Sequence, residues 1–129
     1  MKSYTDLEQS KKLAEILPIE SADMMWDDWS LIDEGWKLNV GYYPEIEKDY
    51  GRKCYPAWSL AALLEILPDE ITDDDGSKVY IDVRRYNSKH QIAYYTDLNW
   101  SDTITTDEYE NLVDAAVEMI LKLKEKDLL

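Results

Sequence analysis

The chain has 129 residues, 45% of them hydrophobic, and its 28 acidic residues against 14 basic ones give a net charge of -14. That length is typical of one domain, and the apolar content, with ten tyrosines and five tryptophans, excludes a disordered chain. The negative charge repels phosphate backbones and anionic lipid, so neither direct nucleic-acid binding nor membrane binding is expected. We therefore predict a single globular domain over residues 1–129.

The sequence also predicts the compartment. The N-terminal stretch "MKSYTDLEQSKKLAEIL" lacks the apolar run of a signal peptide, and no window approaches the roughly 20 apolar residues that span a bilayer. Cys54 is the single cysteine, so it forms no internal disulfide and no thiolate zinc site by itself. The four glycines are isolated, which argues against a phosphate-binding loop. We expect a cytoplasmic protein without a metal or a cofactor.

The first predicted element is a helix over residues 6–17. Thr5 and Glu8 have the spacing of a capping box, in which the two side chains satisfy free backbone N–H groups at the helix start. Pro18 ends the helix because it lacks an N–H and clashes with the preceding turn. The tetrapeptide "EILP" that closes this segment returns at 65–68, but the flanking residues differ, so we interpret both copies as helix ends and not as a repeat.

The most unusual segment is "ADMMWDDWSLIDEGWKLNVGYY" at 22–43, which crowds Trp26, Trp29 and Trp36 among acidic residues. Exposed indole rings with polar neighbours would form a protein-binding surface. The alternative, which we favour, is that the rings cover one side of a sheet, because tryptophan is usually mostly buried. The alternation from Trp36 to Tyr42 predicts a strand that joins the sheet of the hairpin described below.

A second helix follows in "YPAWSLAALLEILP", with Ser59 as its N-cap and Pro68 after its end. Its apolar residues surround nearly the whole circumference, so we expect it to be the most buried helix, with Leu64 in the core. A Leu64→Asp substitution should then be far more damaging than Asp74→Asn in the acidic turn that follows.

Residues 78–86 and 90–96 alternate apolar and polar side chains around a polar "NSK", and so predict a β-hairpin. Residues 77–96 carry four basic residues and one acidic residue, a local balance of +3. Arg84 and Arg85 point to opposite faces of the strand, so Arg85 should lie at the rim of the core and Arg84 should be free to contact a partner. Replacing Arg84 with Glu should then leave folding unchanged, whereas Arg85→Glu should lower stability.

A third helix is predicted in "ITTDEYENLVDAAVEMILKLKEKDLL", starting after a capping box formed by Thr105 and Glu108. Its apolar residues recur at spacings of three and four. The switch of apolar period from about 3.6 to 2 and back predicts an α+β fold in which three helices pack on a small antiparallel sheet of two to three or more strands, including the hairpin.

Two further groups of residues have a chemical interpretation. Cys54 and His90 would form a nucleophilic dyad if they met, but surface or packing roles are favoured for both. The run "DDDG" at 73–76 lacks the alternate spacing of a calcium loop and is interpreted as a solvated turn. No catalytic residue is therefore predicted.

Three stretches, "YTDLEQSKKLAEILPIESADM", "PAWSLAALLEILP" and "DAAVEMILKLKEKDLL", resemble the family of small uncharacterised proteins encoded by prophages and mobile elements of gut Bacteroidetes. They cover 50 of the 129 residues. The resemblance implies a mobile-element origin. Since that family has no assigned activity, the resemblance implies no site residue.

Two hypotheses about function follow. The first is a small acidic, non-catalytic interaction or accessory protein that binds a protein partner, or itself, through Trp26, Trp29, Trp36 or Arg84. Its acidic face would in one version imitate DNA. The alternative is an enzyme or binder of a small polar or sugar-like ligand that uses Trp and Tyr rings and carboxylates. The absence of a catalytic motif favours the first hypothesis.

Overall fold

The computed structural model describes residues 2–29, 35–42 and 45–129. The described chain divides into two compact units, an N-terminal unit of residues 4–62 and a C-terminal unit of residues 1–3 and 63–129. The α+β prediction is confirmed, because these residues form four α-helices and two antiparallel sheets of three and four strands. The finer expectation of three helices on a small antiparallel sheet is roughly consistent with these four helices and two sheets. That the chain is one globular domain stays a prediction.

The N-terminal unit is built around a three-stranded antiparallel sheet with strand order β2-β1-β3. Its elements are α1 (Leu7–Ala14), a short 3-10 turn (Ile19–Ser21), β1 (Met24–Asp28), β2 (Trp36–Val40), α2 (Glu45–Tyr50) and β3 (Cys54–Ala57). The predicted strand at 36–42 is thus present as β2, but it pairs with β1 and not with the hairpin.

Helix α1 is capped one residue later than predicted. Asp6 accepts the N–H of Gln9 at 2.8 Å, and the Gln9 side chain accepts the N–H of Asp6 at 3.1 Å. Thr5 is completely buried instead, where its hydroxyl bonds to Ser10 and accepts the N–H of Trp58. The Thr5 and Glu8 box is therefore wrong, because the Thr5 side chain is used by a long-range contact that the local pattern does not reveal.

The C-terminal unit contains a four-stranded antiparallel meander with strand order β4-β5-β6-β7. Helix α3 (Leu60–Ile66) runs across the division between the units, and the later elements are β4 (Glu70–Thr72), β5 (Lys78–Tyr86), β6 (Lys89–Tyr95), β7 (Asp102–Thr105) and α4 (Leu112–Glu125). The hairpin prediction is confirmed. Its two-residue turn is Asn87 and Ser88, with φ of 50° and 61°, a backbone twist that matches the twist of the strands.

Helix α4 begins at Leu112, with Asn111 as its N-cap and Asn111 Oδ1 accepting the Asp114 N–H at 2.8 Å. The predicted start after Thr105 is wrong, since Thr105 ends β7 and Tyr109 exchanges two backbone hydrogen bonds with His90. Pairing with the sheet therefore overrides the capping pattern. Seven residues of α4 are buried: Val113, Ala115, Ala116, Val117, Met119, Ile120 and Leu123.

Helix α3 is less buried than its composition suggests. The N-cap is confirmed, since Ser59 Oγ accepts the Ala62 N–H at 3.2 Å. Within the helix only Leu63 is fully buried, whereas Leu64 is half-buried and Ala61 is exposed. The prediction that α3 is the most buried helix is wrong, and α4 has that role. Within the described ranges, no helix is both long enough and apolar enough to cross a bilayer.

Candidate binding surface

Two of the three tryptophans that were predicted as candidate protein-binding residues lie half-buried against the sheet of the N-terminal unit. Trp26, in β1, donates its Nε1–H to the Thr5 carbonyl at 3.1 Å. Trp36, at the start of β2, packs against Tyr55 with ring centroids 5.8 Å apart. Both rings have partners within their unit, which agrees with their covering a sheet. Their role in protein binding stays a prediction, and residues 30–34 of the same segment lie outside the described residues.

The third tryptophan belongs to an ion cluster that the sequence did not reveal. Asp27 in β1 is 1% exposed, and it accepts two hydrogen bonds from Arg52, from Nε at 3.0 Å and from Nη2 at 3.2 Å. Trp29 donates its Nε1–H to the same carboxylate at 2.9 Å, and the Arg52 guanidinium lies 4.3 Å from the Trp29 ring centroid. The buried carboxylate is thus paired with a cation and hydrogen-bonded, as a buried charge requires.

Cys54 faces this cluster but is not activated by it. Burial raises the pKa of the Cys54 thiol, and the nearby charges of Glu47 and Asp27 raise it further. The thiol therefore stays protonated at neutral pH, the opposite of what a nucleophile needs. Cys54 lies in the N-terminal unit and His90 in the C-terminal unit, so their meeting as a dyad stays untested.

The acidic turn at 73–76 is stabilised by hydrogen bonds to its own backbone. Asp73 Oδ1 accepts the N–H groups of Asp75 and Ser77, so this carboxylate closes the turn. Among residues 2–29, 35–42 and 45–129, no group of three or more His, Cys, Asp or Glu side chains is arranged to hold a metal ion.

Arg84 is the predicted site residue whose surroundings differ most from expectation. Its Nε donates to Asp82 at 2.7 Å, and its two terminal nitrogens donate to the Asp102 carboxylate at 2.8 and 2.6 Å. The side chain thereby reaches from β5 to β7 across β6, where Ala93 is the residue paired with Asp82. The expectation that Arg84 is free is wrong. Its hydrogen bonds also lower the pKa of Asp102.

Aromatic rings lie around Arg84 and its two aspartates on the same face of the sheet. Trp100 stacks on Tyr95 with centroids 5.9 Å apart and planes 15° apart, and Tyr95 in turn contacts Tyr80. Trp100 is nevertheless 75% exposed, and Tyr86 at the end of β5 is 74% exposed. We call this surface the hairpin face. It comprises Tyr80, Asp82, Arg84, Tyr86, Lys89, Gln91, Tyr95, Trp100 and Asp102.

Two concave regions flank Arg84. The larger, about 390 Å³, is lined by Arg84, Arg85, Tyr86, Lys89, Gln91 and Glu108. The smaller, about 210 Å³, is lined by Ile81, Asp82, Arg84, Tyr95 and Trp100. Arg84 is common to both, so a molecule bound in either region would meet a guanidinium that is already held in place.

The other face of β5 also departs from expectation towards the hairpin end. Val79 is fully buried, but Val83 is 46% exposed and Arg85 is exposed. Arg85 therefore does not lie at the rim of a core. In the part of the chain that the structure describes, it forms no ion pair, so the free cation of the hairpin is Arg85 and not Arg84.

Comparison of the chain with protein-family models, with curated proteins and with solved structures finds no match.

Proposed function

We propose that this is a non-catalytic interaction protein that binds another protein through the hairpin face. The observation that carries the proposal is the pair of large rings, Trp100 and Tyr86, that remain about three-quarters exposed beside a fixed arginine. Trp, Tyr and Arg are the residues that contribute most of the energy in protein interfaces. A surface of this composition is therefore suited to binding a protein.

The rigidity of the surface supports the same proposal. Three nitrogens of Arg84 are held by Asp82 and Asp102, and Trp100 is held against Tyr95. Side chains that are ordered before binding lose less conformational entropy when a partner arrives. The hairpin face is thus organised in advance of its partner.

The carboxylates of the hairpin face are poorly suited to acid–base chemistry. Asp82 and Asp102 both accept hydrogen bonds from Arg84, and the pKa of Asp102 is lowered. A general acid at neutral pH needs a raised pKa, so Asp102 lacks the proton that it would have to donate. This argues for binding over catalysis at this surface.

Site-specific photocrosslinking tests the proposal. Tyr86 or Trp100 is replaced with p-benzoylphenylalanine in cells of the source organism, and the same replacement at Lys126 is the control, since Lys126 is exposed and lies after the end of α4. We expect one adduct of the same mass from both positions of the hairpin face and none from position 126. No adduct from either face position, or the same adduct from the control, would reject the proposal.

A second candidate is the binding of a sugar-like ligand, favoured by the smaller concave region beside Trp100. An exposed indole ring next to a carboxylate, Asp82, is a combination that stacks on and hydrogen-bonds to a polar ring. Titration with mono- and disaccharides, followed by tryptophan fluorescence, tests it with Trp100→Ala as the control. Saturable quenching that Trp100→Ala removes would favour this candidate over a protein partner.

The predicted origin from a mobile element and the predicted imitation of DNA by the acidic face remain proposals. Competition between the purified protein and duplex DNA for a nucleic-acid-binding protein tests the second of these. An affinity that does not change with salt would contradict it, because an interaction between opposite charges weakens as salt screens them.

A further inference from the structure

The outer edge of β5 is open along half of its length. Strand β4 pairs only with Lys78, Val79 and Tyr80, and the last backbone hydrogen bond on that side runs from the Ile81 N–H to the Asp69 carbonyl at 3.0 Å. Beyond this point the described residues place no strand beside β5. An exposed edge of this kind is a template for another strand.

The groups that this edge presents follow from the strand geometry. Successive residues of a strand direct their N–H and C=O groups to opposite sides. Since Ile81 donates towards β4, Val83 and Arg85 direct their backbone groups to the same, unoccupied side. Arg84 and Tyr86 direct their backbone groups to the other side, towards Gln91 and Lys89 of β6. The edge therefore offers two donors and two acceptors, from Val83 and Arg85.

The charge at this edge selects the partner. Arg85 is exposed on the edge itself and has no ion pair among the described residues. It lines the adjoining region of about 390 Å³ together with Glu108 and with Arg84 and Lys89, which are each paired with a carboxylate. Charged side chains on an edge strand normally prevent it from pairing with another strand of the same charge. The positive charge of Arg85 attracts acidic strands and repels basic ones, and opposite charges across an interface speed encounter and fix register.

We infer that the partner of the hairpin face is an acidic protein segment that binds in extended conformation as an added strand along Val83 and Arg85 of β5. Its backbone would pair with the open edge, and its carboxylates would reach Arg85 and the larger concave region, beside the exposed ring of Tyr86. This mode of peptide recognition takes affinity from main-chain hydrogen bonds and specificity from alternate side chains. The inference rests on the proposed function, to which it adds the chemistry of the partner.

The first test uses a fluorescein-labelled octapeptide in which glutamate and valine alternate, with a lysine and valine octapeptide as the charge control. Fluorescence anisotropy should show saturable binding of the acidic peptide, weakening as salt is added, and at least about tenfold weaker binding of the basic one. Equal binding of both peptides would overturn the assigned charge preference. No binding of the acidic peptide would overturn the inference as a whole.

Two protein variants separate the edge from the charge. Val83→Pro removes one N–H on the open side only, where proline is tolerated, and Arg85→Glu reverses the free charge. Each substitution should weaken binding of the acidic peptide at least about tenfold. Lys126→Glu makes the same change of charge far along the sequence and should change the affinity less than about twofold. If Val83→Pro and Arg85→Glu both bind like the unmodified protein, the edge is not the site.

Two modified peptides keep the inference testable should a protein variant fail to fold. One carries N-methyl groups on all valines and the other on all glutamates, so that each blocks one edge of the peptide strand. One of the two should lose binding while the other keeps it. Equal effects of the two modifications would overturn strand addition.

The outcomes also separate the inference from the proposed function. Crosslinks from the Tyr86 and Trp100 positions without acidic-peptide binding would leave the hairpin face an interface and reject an acidic strand as its occupant. A concentration-dependent dimer in sedimentation, abolished by Val83→Pro, would assign the edge to a second copy of this chain and overturn the inference. Absence of both crosslinks and peptide binding would reject both.

Discussion

Replacing Asp27 with Asn should reveal how strongly the N-terminal unit depends on its buried ion cluster. The substitution keeps the shape of the side chain but removes the charge that Arg52 and Trp29 contact at 2.9 to 3.2 Å. The Arg52 side chain is itself only 20% exposed, so its guanidinium would lose the Asp27 carboxylate where water reaches it poorly. We expect a marked fall in the free energy of unfolding.

The magnitude follows from the geometry. Breaking a buried pair by removing one partner costs about 3 to 5 kcal/mol. The residual exposure of Arg52, and the one acceptor that an amide retains, place Asp27→Asn near the lower end, at about 3 kcal/mol. Arg52→Met, which leaves the carboxylate buried with the Trp29 N–H as its described donor, should cost at least as much.

Urea unfolding of the two single variants and the double variant, followed by tryptophan fluorescence, measures these quantities. The double variant should be more stable than the sum of the two effects predicts, by about 2 kcal/mol, because each single variant already removes the interaction between Asp27 and Arg52. Asp74→Asn, in an exposed turn, is the control and should change stability by no more than about 0.5 kcal/mol. Additive effects, or an Asp27→Asn variant as stable as the control, would show that the cluster is not a coupled unit.

Three further predictions concern burial, pH and reactivity. Leu63→Ala should lower the free energy of unfolding by about 2 to 5 kcal/mol and Leu64→Ala by clearly less, because only Leu63 is fully buried; equal losses in urea unfolding would contradict the assigned burial. Asp102→Asn should destabilise the protein at neutral pH and progressively less below the ordinary carboxyl pKa of 3.8, because contact with Arg84 lowers the pKa of Asp102, so its stabilisation is present above that value and is lost on acidification; a difference between the unfolding curves that is independent of pH would refute this. Cys54 should react with iodoacetamide at neutral pH at least about tenfold more slowly than in urea, since burial raises its pKa; equal rates by mass spectrometry would show an open thiol.

The elements with a clear periodic pattern were predictable, and their neighbours in space were not. The hairpin and the α+β class follow from residues close together in the sequence. Strand β1, "MMWDD", contains two acidic residues in five, which is not the composition of a typical strand, and β7 is only four residues long, too short for a clear pattern. Without β1, the strand at Trp36–Val40 was placed in the wrong sheet.

Both capping errors have one physical origin. A Thr and a Glu at the right spacing stabilise a helix start only when the Thr side chain and the surrounding backbone are free. Thr5 is used by Ser10 and Trp58, and Thr105 lies in a strand. In each case a contact distant in sequence is more favourable than the local one.

The candidate site was predictable only as a composition. The positive balance of residues 77–96 pointed to the hairpin, and Arg84 lies at its centre. Its partner Asp102 is eighteen residues away in sequence. No local pattern therefore shows that Arg84 forms ion pairs and that Arg85, among the described residues, does not. Trp100, which contributes most of the exposed aromatic surface beside Tyr95, was not predicted because it lies in a turn.

The backbone of Trp100, in the turn between β6 and β7, has a conformation that is unfavourable for a residue with a side chain. Its φ of 58° lies in the left-handed region. This conformation destabilises a residue with a side chain by roughly 1 to 2 kcal/mol, whereas glycine adopts it without strain. A turn optimised for folding alone would have glycine or asparagine at this position. The turn instead holds the largest side chain available, stacked on Tyr95 yet open to solvent. Departures from local conformational rules are expected at functional or strained sites, so the binding that we propose at Trp100 would oppose stability at this single residue.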